Sequence, residues 1–299
     1  MNNPITLDAL QVLDAIDRKG SFAAAANSLY RVPSAITYTV QKLEQDLDVV
    51  LFRKEGRRSV LTPAGQLLLE QGREVLLAVE QLAEKTRQAD KGWESRLNIA
   101  VDSVLGVKVL YPLLADFYLF KPDIVINLSE EVLGGAWDAV IHGRADMAVG
   151  AAELPTLPRG LRQVEVAKVE WVFAVSPAHP LSTLDRVLGE DDIRQFRSVV
   201  VRDSSRELAP LSLRVFSAQQ QLKVGSVNDK IEAIERGLGV GYLPRHRILK
   251  QLAEGLLVLL PVNEGLGATP LYTIFKTGQR GRALDWFIDK MGQGLDLLP

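Results

Sequence analysis

Residues 21–65 read SFAAAANSLYRVPSAITYTVQKLEQDLDVVLFRKEGRRSVLTPAG, and this run decides how the first part of the chain folds. Ser21 is placed to cap a short helix over 22–29, rich in alanine, the best helix former. Pro33 then prevents one continuous helix, because it lacks a backbone donor and pushes Val32 toward extended geometry. At the start of a new helix the same proline is tolerated, since its missing donor would have no partner there. A second helix is expected over 34–46. Its apolar residues Ile36, Val40, Leu43 and Leu47 recur at helical spacing and form one buried stripe. The opposite face carries Ser34, Thr37, Tyr38, Gln41, Lys42 and Gln45. Hydroxyls, amides and one cation are groups that bond base edges and phosphate oxygens. An ordinary surface helix could carry the same face.

The following stretch bears on that choice. Residues 49–52 are apolar and are expected to form a short strand, and 59–61 a second one. Between them Arg53, Lys54, Arg57 and Arg58 crowd into six residues, interrupted by Glu55 and Gly56. Glycine accepts positive φ, so Glu55-Gly56 suits a hairpin tip. A two-stranded tip with four cations fits phosphates or a minor groove. Without a reader helix beside it, the same tip would be a solvated basic turn.

These residues resemble the winged helix-turn-helix of LysR-type transcriptional regulators. The matching pieces occur in order: Gly20-Ser21-Phe22 with Ala24-Ala25-Ala26 and Leu29, then Lys42-Leu43-Glu44, then Leu51-Phe52, Lys54 and Arg57, then Leu61-Thr62 with Ala64-Gly65. An ordered series is more specific than any lone motif, and the resemblance covers essentially the whole length. The family usually places a Gln-Pro pair at the start of the reader helix, where this chain has Pro33-Ser34. The resemblance implies DNA contacts by Pro33, Ser34, Thr37 and Tyr38, with Arg31 just outside; Gln41 and the basic residues Arg53, Lys54, Arg57 and Arg58 complete the candidate set. IAVD at 99–102, GAWDA at 135–139 and DSSR at 203–206 resemble one branch of the family, associated with purine or allantoin metabolism and with quinone-like aromatics. That branch does not fix a ligand.

At 299 residues the chain should hold more than one domain. Hydrophobic content of 47% and charged content of 24% describe an ordinary globular protein. The formal net charge of −2 means that DNA binding must come from local patches. The chain has no cysteine, which excludes disulfides, thiol redox switches and cysteine zinc sites. His142, His179 and His246 are scattered and show no metal-ligand spacing. No cofactor or metal is therefore expected. The run MNNPITLDAL lacks the features of a signal peptide, and no apolar run approaches ~18 residues, so a cytoplasmic location without a membrane span is expected.

Taken in order, Thr6 can cap a first helix to about residue 19, buried through Leu7, Leu10, Leu13 and Ile16 or Val12. Thr62 caps a long helix to about residue 90, with Pro63 at its first position. Leu68, Val75, Val79, Leu82 and Thr86 approximate a heptad stripe. A long isolated helix is marginal in water, so this one needs a partner, either a second copy or its own domain. Residues 91–95 read as a hinge. Strands are then expected at 96–102, 124–129 and 145–151, with a helix beginning near Ser103 and another over 135–142. This rhythm implies a mainly parallel sheet. An extended apolar run near 165–176 leads to a second set: strands 198–201, 222–227 and 240–243, and a helix over 228–237. A strand over 270–276 and a helix over 281–292 return to the first. Two crossings imply two α/β lobes joined by two strands, as in periplasmic binding proteins, and the resemblance implies the same.

The expected fold class is thus α/β with an all-α, winged N-terminal domain. It comprises a winged helix-turn-helix over 1–62, a linker and dimerisation helix over 63–91, and a two-lobed effector domain over 92–299. Lobe one takes in about 96–164 and 266–299, and lobe two about 165–265. The partners expected are double-stranded promoter DNA, a small-molecule effector and further copies of the chain as a homodimer or homotetramer. RNA polymerase is a further possible partner.

In such sheets ligands sit beyond the carboxyl ends of the strands, where helix N-termini offer backbone donors. Asp102-Ser103, Asp203-Ser204 and Val227-Asn228 stand at such places, with Gly150 near a crossing and Glu131 in reach. The resemblance implies that these positions line an effector cleft; the plain alternative is that they cap helices. Asp102 and Asp203 could favour a cationic effector unless Arg202 or Arg206 neutralises them.

Two rivals have less support. An α/β enzyme with an accessory DNA-binding domain would need a nucleophile elbow, a phosphate loop or a metal cluster, and none is legible. GLGVGY at 237–242 follows a helix instead of opening one, so it is a poor dinucleotide fingerprint. A periplasmic solute-binding protein does not explain the N-terminal module.

Overall fold

The computed structural model describes residues 4–55, 58–154, 156–209, 211, 220–263, 265–278, 281–295 and 297. It divides into two compact units, Met1–Ala89 and Asp90–Pro299.

The first unit holds α1 (Leu7–Lys19), α2 (Phe22–Ser28), α3 (Pro33–Leu47), the hairpin strands β1 (Phe52–Glu55) and β2 (Arg58–Leu61), and all but the last two residues of α4 (Pro63–Lys91). Thr6 caps α1 by accepting from Ala9 N, and Ser21 caps α2 by accepting from Ala24 N. Val12, Ile16, Ala25, Ala26, Ile36 and Val40 form the core that binds the three helices together. Ala25 and Ala26 are fully buried, and their small size is what lets α1 and α3 approach α2.

The first wing strand begins later than expected. Asp48 takes the left-handed conformation and Val49 N donates to Glu44 O, which ends α3. Leu51 N and Phe52 N then donate to Glu44 Oε1 at 2.7 and 3.1 Å. Residues 49–51 are therefore a tether bound to α3, and the strand proper is 52–55. Its ladder runs from Phe52↔Leu61 to Glu55↔Arg58. Gly56 and Arg57, expected at the tip, lie outside the described residues.

Thr62 Oγ1 accepts from Gly65 N and donates to Val50 O, which ties the start of α4 to the tether. Leu69 is buried, and Arg73 bonds Asp14 and Asp17 of α1 at 2.7 Å each. Leu68 packs within this unit, whereas Val75, Val79 and Leu82 are exposed. The stripe thus splits into a part buried at home and a part left open.

The second unit contains β3 (Arg96–Asp102), α5 (Tyr111–Phe120), β4 (Val125–Glu131), α6 (Gly134–Ile141), β5 (Met147–Ala152), β6 (Leu161–Val175), α7 (Glu190–Arg194), β7 (Ser198–Val201) and β8 (Gln221–Val224). It continues with α8 (Val227–Glu235), β9 (Gly241–Pro244), α9 (Leu249–Ala253), β10 (Val258–Leu259), β11 (Ala268–Lys276) and α10 (Arg282–Met291). Strand β3 pairs in parallel with β4 and β5. Strand β11 lies antiparallel to both β5 and β6, so the sheet is mixed and not mainly parallel. The reason is the long β6. Residues 161–170 pair with β11, and 171–175 pair with β9 and β10. One strand therefore serves both lobes, and β7 with β8 completes the second.

No α-helix opens at Ser103. Asp102 Oδ1 accepts from Val104 N, Gly106 takes φ 73°, and a short 3-10 turn over Val107–Leu110 leads to α5. Pro112 sits in the first turn of α5, where its missing donor is harmless. Strand β8 ends at Val224, not at Val227, because Ser226 caps α8 by accepting from Asp229 N. Helix α10 starts from Gly281, which has no side chain to cap it; the buried Glu94 accepts from Ala283 N and Leu284 N instead. Trp286 and Phe287 of α10 meet Phe117 of α5 in tilted contacts and each other edge-on, with centroids 4.9–5.1 Å apart.

Candidate nucleic-acid interface and interlobe cleft

On α3 the apolar stripe is buried: Ile36 is 0% exposed, and Val40 and Leu43 follow it inward. This forces the opposite face outward. Pro33, Ser34, Thr37, Tyr38, Gln41 and Lys42 are all exposed. Val32, the residue before the helix, makes no side-chain cap bond, so the first-turn N–H groups meet no capping side chain. Ala35 N donates to Val32 O at 3.0 Å, and such a helix start favours a phosphate through its dipole. Thr37 Oγ1 bonds back to Pro33 O at 3.0 Å, leaving its acceptor pairs and methyl outward.

The wing base is locked to this helix by Glu44, and Phe52 packs edge-on to Phe22 at 5.1 Å. Arg53 and Lys54 are exposed on β1, and Arg53 Nη2 lies 2.7 Å from Glu55. Arg58 begins β2. Arg31 is exposed but holds Asp8 of α1 through both guanidinium nitrogens. That pair lowers the Asp8 carboxyl below its ordinary range, and a DNA phosphate would have to compete with it.

In the second unit the expected cleft residues do converge, with different roles. Asp102 is buried and both oxygens are used, by Val104 N at 2.8 Å and Leu133 N at 2.9 Å. Burial raises its pKa to about 7, outweighing those two N–H donors. Gly150 has φ 88° and packs against Leu105 and Asp102; a Cβ there would lie 2.8 Å from Leu105. Asp203 accepts from Gly134 N, Ser205 N and Leu211 N. Ser204 Oγ accepts from Val132 N and donates to Glu131 Oε2 at 2.5 Å. A cationic effector is therefore not invited by Asp102 or Asp203, whose oxygens hold backbone. Ser103 is buried and its Oγ has no partner among the described residues. Val227 lies in the core of its lobe, and Asn228 Oδ1 accepts from Arg247 Nη2 at 2.6 Å.

Several deciding residues were not singled out from the sequence. Asp138 is 0% exposed, and it bonds Arg144 at 2.6 Å and the N–H groups of Arg206, Glu207 and Leu208. Trp137 Nε1 donates to Ala152 O. The two stretches GAWDA and DSSR are thus opposite halves of one contact between the lobes. Arg247 makes a second one, donating to Ser103 O at 2.5 Å while holding Asn228. Their tandem appearance near the strand ends was the available signal, and the partner of each was not readable.

Comparisons with known proteins bear on both units. Residues 7–66 match the model described as bacterial regulatory helix-turn-helix protein, lysR family, and residues 90–296 match the LysR substrate binding domain. The uncharacterized HTH-type transcriptional regulator YeeY of Escherichia coli K12 is 36% identical over 95% of this chain and 92% of that protein. The probable HTH-type transcriptional regulator YhaJ of the same strain is 35% identical over 94% of each, and the HTH-type transcriptional regulator PunR is 32% identical over 95% and 92%. The crystal structure of full-length CbnR with its target DNA shares the fold at 18% identity and TM-score 0.64, over 97% of this chain and 99% of that one. With one family model over residues 7–66, another over 90–296, and relatives 32–36% identical over 94–95% of its length, this chain belongs to the LysR family of DNA-binding transcriptional regulators, with a helix-turn-helix domain followed by a two-lobed effector-binding domain.

Proposed function

We propose that two copies of α3 in a homodimer, or four in a homotetramer, enter successive major grooves of double-stranded promoter DNA. Ser34, Thr37, Tyr38 and Gln41 face base edges, and Pro33, Arg31, Arg53, Lys54, Arg57 and Arg58 position the phosphates. The observation that carries this reading is the polar face of α3, held outward by its buried stripe and left without a side-chain cap at its first turn. Half-sites lie about 34 Å apart or a multiple of it. The division of labour is 1–62 for DNA, 63–91 for dimerisation through the open Val75, Val79 and Leu82 stripe, and 92–299 for the effector. The regulator acts in the cytoplasm, without catalysis, and reaches RNA polymerase from the bound promoter.

A small-molecule effector sits between the lobes, walled by Ser103, Glu131, Gly150, Ser204 and Asn228, with Asp102, Asp203 and Val227 shaping the wall behind them. It changes oligomer geometry on DNA only if it prefers one arrangement of the lobes. Gel-shift on the adjacent intergenic DNA across a salt series tests the first part. Binding that falls steeply with salt and favours one sequence is expected; no binding at low salt would end this reading. Isothermal titration of the full chain against a metabolite panel tests the second.

A further inference from the structure

Val32 stands directly before α3 and is 63% exposed, in extended geometry with φ −79° and ψ 145°. The chain is fixed on both sides of it. Arg31 grips Asp8 of α1 through both terminal guanidinium nitrogens, and the Pro33 ring sets its own φ. A β-branched side chain is also stiff at χ1, so this exposed isopropyl group has few ways to turn.

The position breaks a local rule that the rest of the unit keeps. Helix α1 begins from Thr6, α2 from Ser21 and α4 from Thr62, and each hydroxyl accepts a backbone N–H of the helix it opens. Val32 has no such acceptor, and Ala35 N donates to its carbonyl instead. Extended geometry before a proline suits any β-branched residue. Threonine would fit the same backbone and add the missing cap. What valine has and threonine lacks is a second methyl, turned to solvent. A local rule broken without a local gain points to function.

The surroundings say which function. Pro33 is exposed beside Val32, and Thr37 is exposed one turn further along α3. Thr37 Oγ1 donates to Pro33 O at 3.0 Å, so its hydroxyl is tied to the helix and its methyl is free. These three residues give apolar surface to the first turn of a helix whose outward face is mostly hydroxyls and amides. A phosphate gains nothing from such surface. In the major groove the apolar group among the base edges is the C5 methyl of thymine.

We propose that Val32 is a specificity-determining residue that packs on the C5 methyl of a thymine in each half-site, with the Thr37 methyl beside it. The proposal rests on the reading of α3 as the reader helix and adds the base that its first turn selects.

The test is a gel-shift of the full chain, at one salt concentration, on the adjacent intergenic DNA copied once with dTTP and once with dUTP. Uracil differs from thymine only in lacking that methyl. Wild type should lose about fourfold in affinity per half-site on the uracil copy, the factor that burying one methyl is worth. Val32→Ser supplies a capping hydroxyl, so its Tm should not fall. It should bind the uracil copy as wild type does and lose most of the preference for thymine. Val32→Thr, which keeps one methyl, should fall between the two. Equal affinity of wild type for both copies overturns the proposal, as does an undiminished thymine preference in Val32→Ser, which would put the methyl effect elsewhere on the interface. In both cases wild type still binds DNA and the reading of α3 stands. Failure of wild type to bind either copy at low salt ends that reading and the proposal with it.

Discussion

Asp203 Oδ2 accepts the N–H of Gly134 at 3.0 Å, joining the loop after β7 to the first residue of α6 in the other lobe. The carboxylate sits at the positive end of that helix, where a negative charge is favoured. It also takes Ser205 N and Leu211 N, both at 2.6 Å. Asp203→Asn turns one acceptor into a donor facing an N–H group. We expect a loss of ~1–3 kcal/mol in urea unfolding of the full chain. An unchanged midpoint would show that the contact carries no stability.

Arg144 and Asp138 form the buried heart of the same contact. Burial pushes the Asp138 carboxyl up, but the Arg144 guanidinium and the N–H groups of 206 and 207 more than offset it, holding it below its ordinary 3.8. Because the folded value lies below the unfolded one, this stabilisation is present above 3.8 and fades as pH falls below it. Arg144→Met leaves the carboxylate buried without its cation, a change that costs roughly 3–5 kcal/mol. Because loss of the cation raises the carboxyl's folded pKa, the variant's deficit relative to wild type should be largest near neutral pH and shrink as pH falls, read as Tm between pH 4 and 8.

Gly65 stands in the first turn of α4 against the Leu51 carbonyl. An added Cβ would collide with that oxygen and come within 2.9 Å of Leu61 Cδ2. Backbone cannot step aside as a flexible side chain can, so Gly65→Ala should cost about 2 kcal/mol or more. Gly20→Ala, at φ 75° with open space around it, should cost only about 1 kcal/mol. Thermal unfolding that ranks the two in the reverse order would contradict the packing described.

Tyr38 is 66% exposed on α3, so truncation should leave Tm nearly unchanged, within about 0.5 kcal/mol. Tyr38→Ala should weaken specific DNA far more than random DNA in gel-shift. Lys54→Ala should weaken both alike and reduce the salt slope by about 1. Identical behaviour of the two variants would erase the distinction between reader helix and wing.

Lys230 contributes a pH signature of its own. Its pKa falls from 10.5 to about 8 on folding, so the charged form is disfavoured in the native state. The cost is fully present below about 8 and disappears as pH rises through 10.5. Lys230→Met should therefore be more stable at pH 7 by about 1–3 kcal/mol, less where solvent screens the amine. The gain should shrink toward pH 10, and a pH-independent difference would exclude a titrating amine as its source.

Much of this architecture is local chemistry written along the chain. Thr6, Ser21 and Thr62 cap the helices they precede, Pro33 separates α2 from α3, and the Ile36-Val40-Leu43 stripe decides which face of α3 is outward. Those features depend on neighbours within a few residues, so spacing alone reveals them. The two-lobe plan was legible for a related reason, since strand and helix periods persist over many residues. What tertiary structure decided are the couplings between distant residues: Glu44 with the tether at 51–52, Asp138 with 206–208, Asp203 with Gly134, Arg247 with Ser103 and Asn228. A carboxylate reads alike in sequence whether it waits for a ligand or holds backbone N–H groups. Only the fold brings the donors within 3 Å, and that proximity turned Asp102 and Asp203 from candidate ligand groups into acceptors for backbone N–H groups.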